Sequence, residues 1–333
     1  MVVKDSQFDP EWRQEPRYWV KNSLTDDKTE LREPAMHRLV SFDGSSRSVV
    51  WFRGHRIYEN YFLSRIYMEY CPFKTLETLV AKHAKYDLID EETLDDNGKP
   101  MDEIRIPRLA LWSFFEDLAE AACVMAHGHN PLDPTVNVRD GWETIIHRDL
   151  KPPNIFLGLP RTTGERGIPE LKCADFGIAV PYNYAHMKNP QGMLDNGTVG
   201  WRAPEHSERI GLNNPAHKLS SATNVWGMGR IMLALIELLH KRNNEVNYCE
   251  HEGQVQHAPG KEERLEFYGA KLYELIERCL GPGPRDRITA TGLLKSIREN
   301  LDDDHGGRPA QLEVGDILEY AADIKWAVER KEG

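Results

Sequence analysis

Near residue 75 the apolar pattern of the chain changes period, and that change restricts it to a mixed architecture. Upstream, 48–52 (Ser-Val-Val-Trp-Phe) and 62–70 (Phe-Leu-Ser-Arg-Ile-Tyr-Met-Glu-Tyr) are short runs rich in β-branched and aromatic residues, as strands are. Gly54 and Asn60 between them offer turn chemistry. Tyr18-Trp19-Val20 is a further strand-like piece, whereas the rest of 1–20 is polar, broken by Pro10 and Pro16, and without strong periodicity. Downstream, Leu76, Leu79 and Val80 open a helix, and Leu111, Phe115, Leu118, Ala122 and Met125 make one apolar face of a longer one. Strand-like 144–146, 155–157 and 171–173 follow, and helices are predicted over 222–240, 269–280 and 289–300. The expected class is α+β, a small strand-rich part before a large helical one.

Composition narrows the partners. A net charge of −11 opposes general binding to nucleic acid or to an anionic membrane, both of which call for clustered positive charge. The longest apolar run, Val225 to Leu239, is too short to span a bilayer and contains Arg230 and Glu237, so it reads as a buried helix. Cys71, Cys123, Cys173, Cys249 and Cys279 are scattered without metal-ligand spacing. They read as reduced thiols, with a cytoplasmic or nuclear location expected. The segment 84–107 holds eight acidic residues against three basic ones and reads as a solvated insertion.

The chemistry is concentrated mid-chain. His147-Arg148-Asp149-Leu150-Lys151-Pro152-Pro153-Asn154 places a base, a cation and an amide within eight residues, and Asp175-Phe176-Gly177 begins 21 residues after Asn154. Gly197-Thr198-Val199-Gly200-Trp201-Arg202-Ala203-Pro204-Glu205 follows. These three motifs, in this order, resemble the signature set of the eukaryotic protein kinases. Phosphoryl transfer through a loose transition state requires positioning and charge neutralisation, which these residue types supply. The resemblance implies that Asp149 accepts or orients the proton of the attacking hydroxyl and that Lys151 faces the γ-phosphate. It implies that Asn154 and Asp175 are hard oxygen ligands for Mg²⁺ and that Thr198 holds the catalytic Asp. Lys151, two residues after Asp149, resembles the serine/threonine class.

The resemblance extends to structural positions. Glu205 and Arg287 match the family's ion pair, and Asn224 stands where the family has an Asp that accepts hydrogen bonds from the catalytic loop. Between Gly177 and Ala203 the only hydroxyls are Tyr182, Tyr184 and Thr198, so Asp195 is expected to supply Arg148 with a permanent negative charge.

Upstream, Arg65 to Pro72 resembles the last strand of the ATP-binding lobe and the hinge. Met68 is then the gatekeeper, the Glu69 carbonyl and Cys71 amide meet adenine, and Phe156 closes that pocket from below. Tyr18-Trp19-Val20-Lys21 resembles the strand that carries the phosphate-binding lysine, which makes Lys21 the candidate, with Glu33 or Glu30 as its partner. Pro34 disfavours helical geometry at Glu33 and is comfortable only in a first turn. The helix there is thus either short and begins at that point, or the ion pair is displaced. The first glycine is Gly44, so no Gly-rich phosphate loop precedes Lys21. Either the protein begins further upstream, or a partner or the tail covers the gap, or the chain is a degenerate kinase.

The resemblance therefore implies a bilobal protein-kinase-like fold with a reduced β-rich N-lobe over 1–70 and a helical C-lobe over 71–300. A tail over 301–333 carries an amphipathic candidate helix. The implied activity is transfer of the γ-phosphate of Mg-ATP to Ser or Thr of a protein substrate; the alternative is a catalytically weak or inactive scaffold. The sequence sets neither the substrate nor the oligomeric state.

Overall fold

The computed structural model describes the chain except for residues 22–28, 42–46, 87–105, 130–140, 161–167, 183–193, 208–209, 211–216, 238–247, 250–253, 256–260 and 306–333. The acidic insertion, apart from its first and last few residues, and the tail helix lie outside the described residues. So does Tyr184.

The strand-rich part is a three-stranded antiparallel sheet in the order β1 (Val2–Gln7), β5 (Leu63–Met68), β4 (Phe52–Tyr58). β4 and β5 form a hairpin through a 3₁₀ turn at Glu59–Tyr61, as the turn chemistry at Asn60 predicts. Gly54 is not in that turn. It lies inside β4, at a register shift next to Phe52. The first strand also differs from the sequence reading, which found no element before Tyr18. Alternation fails to reveal β1 because its inward positions, Lys4 and Ser6, are polar and its outward ones are exposed.

β2 (Trp19–Lys21) and β3 (Thr29–Leu31) form a separate hairpin, and α1 (Arg32–Val40) follows at once. Pro34 sits in the first turn of α1, where its missing N–H leaves no bond unmade. The helix is thus the short one of the two possibilities.

The helical part is built on α3 (Arg108–His127) and α4 (Ser221–Ile236), after α2 (Leu76–Tyr86). Trp112, Phe114, Phe115, Trp226 and Ile231 of these two helices are completely buried. α5 (Lys261–Tyr268), α6 (Ala270–Cys279) and α7 (Ala290–His305) complete the layer. A helix apolar on nearly all sides, such as α4, is stable only at the centre of a core. Ser220 caps it by accepting from the Ala222 amide, while Thr223 Oγ1 accepts from the Ser220 amide.

Between α3 and α4 run four short strands: β6 (Thr144–Ile146) paired with β9 (Val180–Tyr182), and β7 (Ile155–Pro160) paired with β8 (Pro169–Cys173). They hold the segments 147–154 and 174–179 side by side.

Glu205 and Arg287 form a fully buried bidentate pair, 2.7 Å at each contact. The remaining polar atoms are satisfied: Thr223 donates to Glu205, and Arg287 donates to the carbonyls of Gly281 and Ala222. Burial pushes the Glu205 carboxyl up, but the Arg287 charge and its hydrogen bonds outweigh that and hold it below 4.5. Removing one partner leaves an uncompensated buried charge, so Arg287→Ala is expected to cost about 3–5 kcal/mol in denaturant unfolding at neutral pH. A depressed carboxyl stabilises the fold above its unfolded pKa, and that contribution is lost as pH falls. The deficit of the variant should therefore narrow below about pH 4.5; a deficit that stayed constant would contradict this assignment.

Candidate active site

The catalytic-loop motif folds around Asp149. Asn154 Nδ2 donates to the Asp149 carbonyl at 2.8 Å and to its Oδ2 at 3.1 Å. Thr198 gives Asp149 Oδ1 both its amide, at 3.0 Å, and its hydroxyl, at 2.7 Å. Lys151 Nζ lies 2.8 Å from Asp149 Oδ2 and 2.6 Å from Thr198 Oγ1. Burial works against ionisation of Asp149, but Lys151 and Thr198 outweigh it and hold the carboxyl below 3.8. It is therefore an acceptor at neutral pH, with Oδ1 held by Thr198 and Oδ2 shared between Asn154 and Lys151.

Two backbone features bring Thr198 to this point. Gly197 has φ +94°, and a Cβ there would meet the Arg148 carbonyl oxygen at 2.1 Å, so only glycine lets the two loops touch. Arg148 and Asp175 both adopt left-handed backbone (φ 68° and 64°), a strained choice for such residues at two successive functional segments. Asn224 accepts from the His147 amide at 3.0 Å and donates to the Ile145 carbonyl at 2.7 Å. The amide thus uses both ends, where a carboxylate could only accept.

A second charged group forms around Asp175, and it corrects the sequence reading. Among the described side chains the lysine that reaches it is Lys4 of β1, where the sequence reading expected Lys21. Lys4 Nζ is 2.6 Å from Glu33 Oε1 and 2.7 Å from Asp175 Oδ1. The reason is topological: β1 lies in the main sheet beside β5, whereas Lys21 ends a strand paired only with β3. Glu33 is the partner carboxylate, and Glu30 instead binds Arg38.

Burial opposes the charge on Lys4, yet two carboxylates raise its pKa above 10.5. Burial also pushes Glu33 above 4.5 against the pull of Lys4. Asp175 resists burial through Lys4 and stays below 3.8. One ammonium between two carboxylates leaves excess negative charge at Asp175. With the Asn154 Nδ2 donating to Asp149, its Oδ1 is left as a further hard donor on the neighbouring segment. This donor set fits Mg²⁺, which is held by one or two protein oxygens together with phosphates.

The protein kinase domain model matches residues 142–297. The serine/threonine-protein kinase Nek9 of Xenopus laevis is 24% identical over 246 residues, covering 72% of this chain and 20% of that protein. The G2-specific protein kinase nimA of Emericella nidulans is 24% identical over 286 residues, covering 80% of this chain and 35% of that protein. The serine/threonine-protein kinase PkaA of Streptomyces coelicolor is 31% identical over 154 residues, covering 46% of this chain and 25% of that protein. Residues 142–297 are thus similar to a protein kinase domain, and these relatives support the eukaryotic protein kinase superfamily, serine/threonine type. The chain spans between a fifth and about a third of the length of these three kinases.

The expected hinge residues gather beside β7. Val50, Cys71 and Ala174 form one small apolar cluster, with Met68 and Phe156 packed against it. Val2 stands opposite Met68 in the β1–β5 register. The Glu69 carboxylate accepts from the Trp51 amide at 3.0 Å and lies 3.1 Å from Lys172 Nζ, so the hinge strand is tied to β8. Burial pushes the Cys71 thiol up to about 12, which keeps it protonated. Asp195 pairs with Arg202 at 3.4 Å, and the Arg148 Nε donates to the Ile178 carbonyl.

Lys4 and Ser6, whose hydroxyl lies 3.5 Å from Glu33 Oε2, are the site residues that sequence reasoning missed. The tripeptide Val2-Val3-Lys4, apolar residues leading into a lysine, was the available signal. At pH 8 an amine-acylating reagent should modify Lys4 more slowly than the exposed Lys74. Glu33→Gln should accelerate the reaction at Lys4, read by mass spectrometry. Equal rates at Lys4 in wild type and variant would refute the electrostatic pairing.

Proposed function

We propose that this kinase transfers the γ-phosphate of Mg-ATP to Ser or Thr hydroxyls of a protein substrate. The observation that carries the reading is two charged groups built on neighbouring segments, Asp149–Lys151–Asn154–Thr198 and Lys4–Glu33–Asp175, the Ala174 amide donating to the Asn154 carbonyl at 3.0 Å. Nucleotide phosphates between them would meet Lys4 first, with Glu33 holding the ammonium in place. Mg²⁺ bound by Asn154 and Asp175 would neutralise phosphate charge. Asp149 Oδ2 would orient the attacking hydroxyl and accept its proton, while Lys151 would hold positive charge beside the transferring group. The cluster of Val50, Met68, Cys71, Phe156 and Ala174 would take adenine, with the Glu69 carbonyl and Cys71 amide on its edge.

The similarity to kinases whose names specify serine and threonine supports the acceptor class. The buried, unpaired state of Cys71, Cys123, Cys173 and Cys279 supports a reducing compartment, cytoplasmic or nuclear. Among the described residues no helix is long and apolar enough to cross a membrane.

The test is transfer from γ-labelled Mg-ATP to a generic protein substrate. Asp149→Asn should reduce transfer by about 10²-fold or more. Lys4→Met should reduce it comparably, and Lys21→Met should leave it near wild type. Equal background from wild type and Asp149→Asn would favour a non-catalytic scaffold. Loss with Lys21→Met alone would return the role to that residue.

A further inference from the structure

α1 carries Glu33, yet the helix has little local stability of its own. It has only nine residues, no side-chain cap at its start, and a proline in its first turn. Isolated helices of that length are marginal in water, so tertiary contacts must hold it. Ala35, Met36 and Val40 bury its apolar side in the core, and two buried polar residues at its C-terminal end add directional contacts.

His37 stands one helical turn after Glu33 and so lies on the same face. Its ring is buried, stacked on Phe176 at 5.3 Å and edge-on to Phe52 at 5.5 Å. Its Nε2 is 2.6 Å from the Val50 carbonyl oxygen. A carbonyl can only accept, so Nε2 carries the proton. Burial lowers the imidazole to about 4, which keeps it neutral. Ser41 makes the second link: its hydroxyl donates to the His37 carbonyl at 2.8 Å and accepts from the Phe52 amide at 3.2 Å. Val50 is in turn anchored, its amide donating to the Cys173 carbonyl two residues before Asp175. The end of α1, the start of β4 and the segment leading to Asp175 are therefore joined by a continuous polar path.

We propose that His37 and Ser41 form a latch that positions α1, and through it Glu33, against Lys4 and Asp175. This rests on the phosphotransfer reading of the site. The imidazole does two jobs that no apolar residue combines. Its face packs on Phe176 and its edge donates to a carbonyl that would otherwise lie buried without that partner. Neither residue touches the reacting atoms; both act through Glu33 and Phe176.

The test uses the full chain with three substitutions: His37→Phe keeps a ring but removes the donor, Ser41→Ala removes the hydroxyl, and Ser41→Thr restores one. Hydrogen exchange over 32–41 is measured by mass spectrometry, alongside kcat and KM for transfer and a melting curve for each variant. His37→Phe and Ser41→Ala should each speed exchange over 32–41 and lower kcat about tenfold. KM for the protein substrate should stay unchanged, and Ser41→Thr should behave nearly as wild type. Unchanged exchange over 32–41 in both disruptive variants overturns the latch. Should His37→Phe not fold, Ser41→Ala alone decides. A wild type without transfer activity would count against the phosphotransfer reading, while the exchange comparison would still decide the latch.

Discussion

One ammonium between two carboxylates joins three parts of this molecule that the chain presents far apart. Lys4 comes from the first strand, Glu33 from a short helix and Asp175 from the segment after β8. The contact spans 171 residues of sequence. Its geometry requires that β1 lie in the sheet beside β5, that α1 begin at Arg32, and that Asp175 adopt a left-handed backbone. Taking three charges partly out of water is costly, and their attraction offsets this only when every partner is in place. The trio is thus a consequence of the surrounding fold more than a cause of its stability.

The second half of the site is built differently. Asp149, Lys151 and Asn154 are within six residues of each other, so local backbone brings most of that constellation together. Thr198 is the exception, and its arrival depends on Gly197 passing against the Arg148 carbonyl. The buried Glu205–Arg287 pair and the polar contacts of Asn224 then fix the loops to α4 and to the start of α7. Rigid helices hold the catalytic loop, whereas a nine-residue helix held by side-chain contacts carries Glu33.

The same difference explains what was legible in the sequence. The long helices were readable because burial on one or more faces imposes a helical period on Leu111 through Met125 and on Val225 through Ile236. The catalytic loop was readable because its residues are close in sequence and chemically specific. Lys4 was not, because an edge strand with Lys and Ser at its inward positions has no apolar alternation to detect. Lys21 drew attention through its aromatic and apolar neighbours, but those serve a hairpin apart from the main sheet. Pro34 located the start of α1 correctly and left open which glutamate turned inward; Arg38 binding Glu30 decided that. The contact of Asp195 with Arg202 likewise depends on tertiary placement that no local pattern encodes.

In the proposed reaction Lys4 and Glu33 act as one unit on nucleotide phosphates. Calorimetric affinity for Mg-ADP, measured for wild type, Lys4→Met, Glu33→Gln and the double variant, tests it most directly. If Glu33 works by holding Lys4, the double variant should bind no more weakly than Lys4→Met alone. If the two single losses simply add, the residues act independently and the account is wrong.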